Sequence, residues 1–177
     1  MSIVRTPVVA LFLAAAVTAA SAQAPAAKAG AKPAGQPAAH PPAAHAPMVN
    51  TADLKWGPGP DAFQPGIQMA VIDGDPSKPG PFVLRAKFPD GFKVMPHWHP
   101  TDESLTILSG TLMAGMGEKW DDAAMKTFTA GGFARMPKKT PHYVMAKGET
   151  VIQVHAIGPF VLTYVNPKDD PRQKKTQ

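Results

Sequence analysis

Cysteine does not occur in the 177 residues of this chain. Its absence excludes disulfides and thiolate metal sites. It also excludes lipid attachment at a signal cleavage site, which requires a cysteine. A chain without cysteine suits an oxidising compartment, although a domain of this size does not need disulfides to hold its core in any compartment. The length allows one domain with a substantial core, but not comfortably two.

The chain also lacks a long apolar run, since a membrane-spanning helix needs about 20 apolar residues in succession. Arg5 precedes a shorter apolar stretch at residues 8–17, and residues 20–22 (Ala-Ser-Ala) supply the small side chains of a cleavage site. This pattern is typical of a secretory signal peptide. It predicts cleavage between Ala22 and Gln23 and a periplasmic or secreted protein with no stable membrane anchor. A retained anchor is the alternative that the short apolar run disfavours.

The folded part of the chain has no excess of one charge, although the whole chain carries a net charge of +5. Between Thr51 and Pro167 there are 11 basic and 11 acidic residues. The surplus lies near the two ends, at Arg5, Lys28, Lys32, Lys168, Arg172, Lys174 and Lys175. Basic ends on a neutral domain are usually solvated, so nucleic acid is not an expected partner.

Composition divides the chain into four parts. Residues 1–22 are predicted to be the signal peptide, and 23–50 an Ala/Pro-rich, disordered tether with little apolar surface to bury. Residues 51–167 are the folded domain, and 168–177 are a basic flexible tail.

Short apolar or alternating runs in the folded part are separated by Gly, Pro and Asp, which indicates an all-β, antiparallel sandwich or small barrel. Turn residues at Ser109-Gly110 and Lys147-Gly148 separate four of the predicted strands. One brief helical turn is predicted near 120–126, where Asp121 and Asp122 suit a helix start. The predicted strands are 68–73, 81–88, 94–99, 104–108, 111–116, 133–136, 143–146, 150–156 and 160–165.

A group of histidines carries the strongest chemical signal. His97 and His99 are two residues apart, so on a strand both side chains point to one face. Glu103 follows, and His142 comes after a proline-rich turn. Three imidazoles and a carboxylate suit one divalent transition-metal ion, namely Fe, Mn, Ni, Cu or Zn, and are poor ligands for Mg or Ca.

The spacing around these residues is longer than a single His-x-His pair. Gly91, His97, His99, Glu103 and Gly110 meet the pattern Gly-x5-His-x-His-x3-Glu-x6-Gly in full. This segment resembles the first motif of the cupin superfamily. The resemblance covers about residues 66–165 and extends to a group of small exported bacterial cupins with no assigned reaction. It implies a jelly-roll β-barrel, usually a homodimer, and no particular substrate.

The second cupin motif is met in part. Gly131, Pro137 and His142 occupy its positions, whereas Lys139 and Ala146 stand where glycine and asparagine are usual. The lysine affects the shape of the turn, because glycine would adopt a positive φ at low cost. Neither departure removes a metal ligand.

Four other residues are candidates for the pocket. Gln153 and His155 share one face of a predicted strand and would line the pocket if that face points inward; otherwise they are ordinary strand residues. Arg135 either pairs an anionic substrate or lies in solvent. Tyr164 is a candidate proton donor, although nothing in the sequence places it near the metal.

The predicted function is a mononuclear metal-binding cupin that binds a small molecule. Among enzymes a dioxygenase is favoured, with Glu103 able to act as a catalytic base, and a metal-assisted isomerase or lyase is the next alternative. A non-catalytic sensor of a small ligand or metal belongs to a different class. The pocket discriminates between them, because polar groups that converge on an open metal face favour an enzyme, whereas a closed, apolar environment around the ion favours a structural or sensing role.

Overall fold

The computed structural model of the chain describes residues 47–176. The predicted signal peptide and nearly all of the predicted tether lie outside these residues. Within them, no helix is both long enough and apolar enough to cross a membrane.

The described residues form an antiparallel β structure with short 3-10 turns. The turns span Thr51–Asp53, Asp122–Ala124, Pro167–Asp169 and Pro171–Thr176. The strands are β1 (Gly57–Pro58), β2 (Gln68–Asp73), β3 (Gly80–Phe88), β4 (Lys93–Trp98), β5 (Glu103–Met116), β6 (Lys126–Thr129), β7 (Phe133–Met136), β8 (His142–Gly158) and β9 (Thr163–Tyr164).

One curled sheet contains all of these strands. Its main path runs β1-β2-β3-β8-β4-β9, and β5 pairs with β6, β7 and β8. Strand β8 is central, because its first part pairs with β4 and its second part with β3, while β5 runs beside most of its length. This is the jelly-roll arrangement expected from the sequence.

Strands β5 and β8 are each continuous where the sequence predicts two strands and a turn. Gly110 and Gly148 adopt positive φ values of 76° and 74° inside them. At Gly110 the register with β8 shifts, and a Cβ would lie 2.3 Å from the Glu149 carbonyl oxygen. The glycines therefore bend the strands rather than end them, since only glycine adopts this conformation at low cost.

The core follows the alternation of the strands. In β3, Phe82, Leu84, Ala86 and Phe88 are buried, while the residues between them are partly exposed. Opposing positions of β5 and β8 close the other side of this core. An apolar inner face and a solvated outer face are what a period-two pattern requires.

Two predicted features differ from the structure at the C-terminal end. The predicted strand at 160–165 is reduced to β9, because the Phe160 N–H donates to the carbonyl oxygen of Pro76, outside the sheet. The first residues of the predicted tail pack against the folded domain. Asp170 is buried, and the Arg172 guanidinium donates to the Leu162 carbonyl oxygen at 3.2 Å.

Candidate metal centre

The first two candidate ligands lie at the end of β4. His97 is in the strand and His99 directly after it, and both are buried. The pairing of β4 with β8 is irregular between Val94 and His97, where Pro96 has no N–H to donate. Beyond this irregularity, His97 is the direct cross-strand partner of His142.

The other two candidate ligands are the first residues of the two longest strands. Glu103 begins β5 and His142 begins β8, and both side chains are buried. The Glu103 Oε2 atom lies 3.6 Å from His99 Nε2 and 3.4 Å from His142 Nε2. Three strand ends thus bring the four side chains together.

The three histidines could hold a metal ion, because one ring nitrogen of each lies within 4.8 Å of the others. Two ligand atoms that are each about 2.1 Å from one ion lie about 3 to 3.4 Å apart, close to the observed distances from Glu103. The site therefore has the right size and the right donor atoms for a first-row transition metal.

Backbone carbonyls set the orientation of all three imidazoles. His97 Nδ1 donates to Met95 O at 2.8 Å, and His99 Nδ1 donates to Val161 O at 2.9 Å. His142 Nδ1 donates to the carbonyl oxygen of Thr140 at 3.0 Å. A carbonyl can only accept, so each neutral ring carries its proton on Nδ1 and has an unprotonated Nε2. This is the tautomer that a metal-binding histidine needs.

Burial favours the neutral form of two of the histidines, His97 and His99. Burial lowers the pKa of His97 well below its ordinary value, and the neighbouring histidines lower it further. Burial likewise lowers the pKa of His99, although the Glu103 carboxylate opposes the shift. Burial alone would raise the pKa of Glu103, whereas a hydrogen bond from His142 and positive charge on His99 and His142 lower it. Where the rings are neutral, a metal ion bound to their Nε2 atoms would supply that positive charge and keep the carboxylate ionised.

The turn that precedes His142 is attached to the loop that follows His99. Lys139 adopts a φ of +57°, the conformation for which cupins usually have glycine, and its N–H donates to the His99 carbonyl oxygen at 2.8 Å. The Asp102 carboxylate accepts from the Lys138 N–H at 2.8 Å and pairs with Arg135. These contacts between the two motifs are not evident from the sequence, because they join loops more than 30 residues apart.

The four candidate ligands line a cavity of about 610 Å³. The His99 ring also stacks on Phe160, with ring centroids 4.1 Å apart. Most of the other lining residues are apolar and come from the inner face of the sheet and from the loop before β2. The metal-binding face is therefore open to a space large enough for an organic molecule.

Three of the four secondary candidates lie away from this cavity. Ile152 and Val154 line it, so Gln153 and His155 between and beyond them point to the outer face of the sheet. There the Gln153 amide contacts a ring nitrogen of the exposed His155 at 2.9 Å. Arg135 is exposed and pairs with Asp102, so it does not face a substrate.

The fourth candidate, Tyr164, is buried beside the site but does not line the cavity. Its ring centroid is 6.2 Å from that of His97, and its hydroxyl donates to the Ala62 carbonyl oxygen at 2.8 Å. This hydrogen bond gives Tyr164 a structural role, because it ties β9 to the loop before β2. Arg172 does line the cavity, and sequence reasoning assigned it to the flexible tail.

The sheet has the jelly-roll fold of the cupins, and three histidines that could hold a metal ion converge in it, as the resemblance in sequence implies. The family model described as "Domain of unknown function (DUF4437)" matches residues 22–163, and the chain belongs to that family. None of the curated protein sequences matches this chain.

Solved structures with the same fold are distant in sequence. The polyketide cyclase RemF from Streptomyces resistomycificus is 16% identical, with a TM-score of 0.54 over 73% of this chain and 92% of that one. A protein from Methylibium petroleiphilum PM1, provisionally named an acetylacetone dioxygenase, is 21% identical, with a TM-score of 0.54 over 70% of this chain and 83% of that one. These likenesses show the fold.

Proposed function

We propose that this protein is a metal-dependent enzyme that binds one divalent transition-metal ion through His97, His99, Glu103 and His142. Its favoured reaction is the oxygenation of a small organic substrate. The observation that carries the proposal is that three Nε2 atoms and a carboxylate converge on the wall of a cavity of about 610 Å³. Bound there, an ion such as Fe(II) would supply Lewis-acid and redox chemistry.

The openness of the site supports an enzyme over a sensor. Four protein ligands on an ion that prefers six would leave two positions, and the cavity provides space beside them. A purely structural or sensing ion is better served by a closed first shell. Pocket size is also in the range of small-molecule sites in enzymes, about 300–1,000 Å³.

Glu103 is the side chain of the site that can move a proton. Its Oε2 atom faces the ring nitrogens of His99 and His142, and a metal ion bound there would keep it ionised near neutral pH. A carboxylate that loosens from the metal could accept a proton from an acidic C–H or O–H group of the substrate. The same role would serve a metal-assisted isomerase or lyase, which is the alternative reaction class.

Elemental analysis of the mature protein, residues 23–177 purified without chelator, is the first test. We expect about one equivalent of a transition metal, since the four ligands form one site. The His97→Ala/His99→Ala double variant should lose it. The matched control is His155→Ala, which removes an exposed histidine from the outer face and should retain the metal. An unloaded protein that also fails to reconstitute would contradict the proposal.

Dioxygen uptake separates the reaction classes. The name of the Methylibium protein suggests acetylacetone as a first probe. Uptake by the metal-loaded protein and the His155→Ala control, but not by the double variant, would support an oxygenase. Exchange of the acidic C–H protons with solvent, without uptake, would favour the isomerase or lyase alternative.

Export and self-association complete the proposal. The signal-like residues 1–22 support a periplasmic or secreted protein, and sequencing the N-terminus of the exported protein should find Gln23 first. A homodimer is supported by strand β2, because β1 pairs only with its first two residues and leaves the backbone edge from Ala70 to Asp73 without a strand partner. Light scattering should then give twice the mass of the mature chain.

A further inference from the structure

The cavity beside the metal centre has an almost entirely apolar wall. Six buried residues of the inner sheet face form its main part: Leu84, Ala86, Phe88, Leu105, Ile152 and Val154. Phe160, which stacks on His99, extends the same surface to the metal ligands. A wall of this kind offers apolar contact and no side-chain hydrogen bonds.

Charged side chains other than the metal ligands reach the cavity at two described positions. Asp61 and Arg172 line it, and both are exposed to solvent as well. The Arg172 guanidinium donates to both oxygens of Asp170 at 2.8 Å and to Leu162 O. Its charge is therefore already paired, and it is a poor partner for an anionic substrate.

We infer that the substrate is an uncharged, mainly apolar molecule that carries a single pair of chelating oxygen atoms, and that sugars and other polyols are rejected. This inference rests on the proposed metal site. The oxygen pair would face the metal-binding side chains, and the apolar body would contact the inner sheet face. Each hydroxyl buried against that wall without a partner would weaken binding by about fivefold or more.

Three hydroxamates with the same chelating head test this inference in the unaltered, metal-loaded protein. Acetohydroxamate has almost no body, hexanohydroxamate has an alkyl body, and gluconohydroxamate has the same carbon chain with hydroxyl groups. We expect the affinity measured by calorimetry to rise about threefold to fourfold per added methylene from the acetyl to the hexanoyl compound. Gluconohydroxamate should bind no more tightly than acetohydroxamate.

A pair of variants locates the effect in the cavity. Ala86→Phe places a ring inside it and should weaken hexanohydroxamate at least tenfold, with no change in metal content or in acetohydroxamate affinity. Val83→Phe, on the outer face of the same strand, is the matched control and should change none of these. If Ala86→Phe does not fold, the three probes decide the question by themselves.

Failure of this inference is distinguishable from failure of the metal site. A metal-loaded protein that binds gluconohydroxamate as tightly as hexanohydroxamate would overturn the apolar substrate and leave the metal centre intact. A protein without metal would overturn both, and elemental analysis detects that outcome before any probe is added.

Discussion

At the scale of single residues, the site depends on which atom of each histidine is available. Each Nδ1 donates a hydrogen bond to a backbone carbonyl oxygen, so a flip of the ring would break that hydrogen bond. Two of these carbonyls belong to residues two positions before the histidine, Met95 and Thr140. The third comes from Val161, 62 residues away, in the loop before β9.

Replacing the carboxylate tests its role as a ligand. Glu103→Gln keeps the shape of the side chain but removes its charge, so we expect metal affinity to fall by more than about tenfold, since the loss of even an outer-shell partner costs that much. A competition titration against a chelator measures the change. Glu149→Gln, at an exposed position of β8, is the control and should bind metal normally. Equal affinities in the two variants would show that Glu103 is not a ligand.

Tyr164 gives a pH dependence that can be assigned to one residue. Burial, with a contribution from the Asp170 charge, raises the pKa of Tyr164 to about 12, above the value of about 10 for an unfolded tyrosine. The protonated phenol therefore stabilises the folded state fully below about pH 10, and this contribution is lost between about pH 10 and 12. Phenolate absorbance should show this late titration in the native protein. One tyrosine's share of this late titration should be lost in Tyr164→Phe, which retains Tyr143.

At the scale of secondary-structure elements, strands β5 and β8 are held together beside the site by a close contact. The Tyr143 ring is fully buried over Gly115, and its hydroxyl donates to the Asp121 carbonyl oxygen at 3.1 Å. Trp120 packs on the other side, with ring centroids 5.1 Å apart. The predicted helical turn provides this cover, and Asp121 caps it by accepting from the Ala123 N–H as expected.

Adding one methyl group to this contact should be costly. A Cβ at Gly115 would lie 2.3 Å from Tyr143 Cζ, so Gly115→Ala must displace the ring or a strand. We expect the free energy of unfolding to fall by about 1–3 kcal/mol. Urea denaturation measures it, with Gly57→Ala as the control, because a Cβ there meets no atom within 4 Å. A neutral Gly115→Ala would mean that the ring moves aside freely.

Asp102 should help to position the metal ligand His142, because it holds the turn that precedes this histidine. Asp102→Ala removes the acceptor of the Lys138 N–H and the partner of Arg135, so we expect metal affinity to fall about tenfold although every ligand remains. Asp90→Ala is a matched control, since Asp90 also accepts from a backbone N–H, that of Gly148, but at a distance from the site. Chelator competition distinguishes the two, and equal losses would indicate a general effect on the fold.

At the scale of the whole molecule, a bound metal ion would join the ends of β4, β5 and β8, the last of which begins 39 residues after Glu103. An ion that binds the folded state alone stabilises it by about 2.7 kcal/mol when its concentration is 100 times the Kd. For a domain of this size we expect metal removal to lower the Tm by roughly 8 °C. Calorimetry with and without chelator measures the shift. The His97→Ala/His99→Ala variant should show none, and His155→Ala should behave as the unaltered protein.

Much of the fold and the four candidate ligands could be predicted from the sequence because both depend on short-range patterns. Alternation of period two predicts which strand residues share a face, and two of the nine strands, β2 and β7, match their predicted bounds. The spacing of His97, His99 and Glu103 is likewise a local property of one segment. Strands β1 and β6 were missed because they are short and carry little apolar pattern.

The secondary pocket residues failed for a physical reason that β8 makes clear. Alternation alone leaves open which face of a strand points inward, so Gln153 and His155 were candidates only if their face did. In the structure Thr150, Ile152 and Val154 are the buried residues of this part of β8, so the odd-numbered residues beside them face outward. A glycine with positive φ, such as Gly148, can either end a strand or bend it. The pairing with neighbouring strands decides between the two, and that pairing cannot be predicted from the segment alone.

The sequence by itself therefore determined the class of protein, the donor atoms for a metal and the alternation of each strand, since these follow from residue type and local spacing. Only the tertiary structure decided which face of each strand lines the cavity, and that Arg135 and His155 lie outside it. It also decided that Arg172 lines the cavity and that Val161 orients His99. These outcomes depend on contacts between residues far apart in the chain, and such contacts exist only after the sheet has closed.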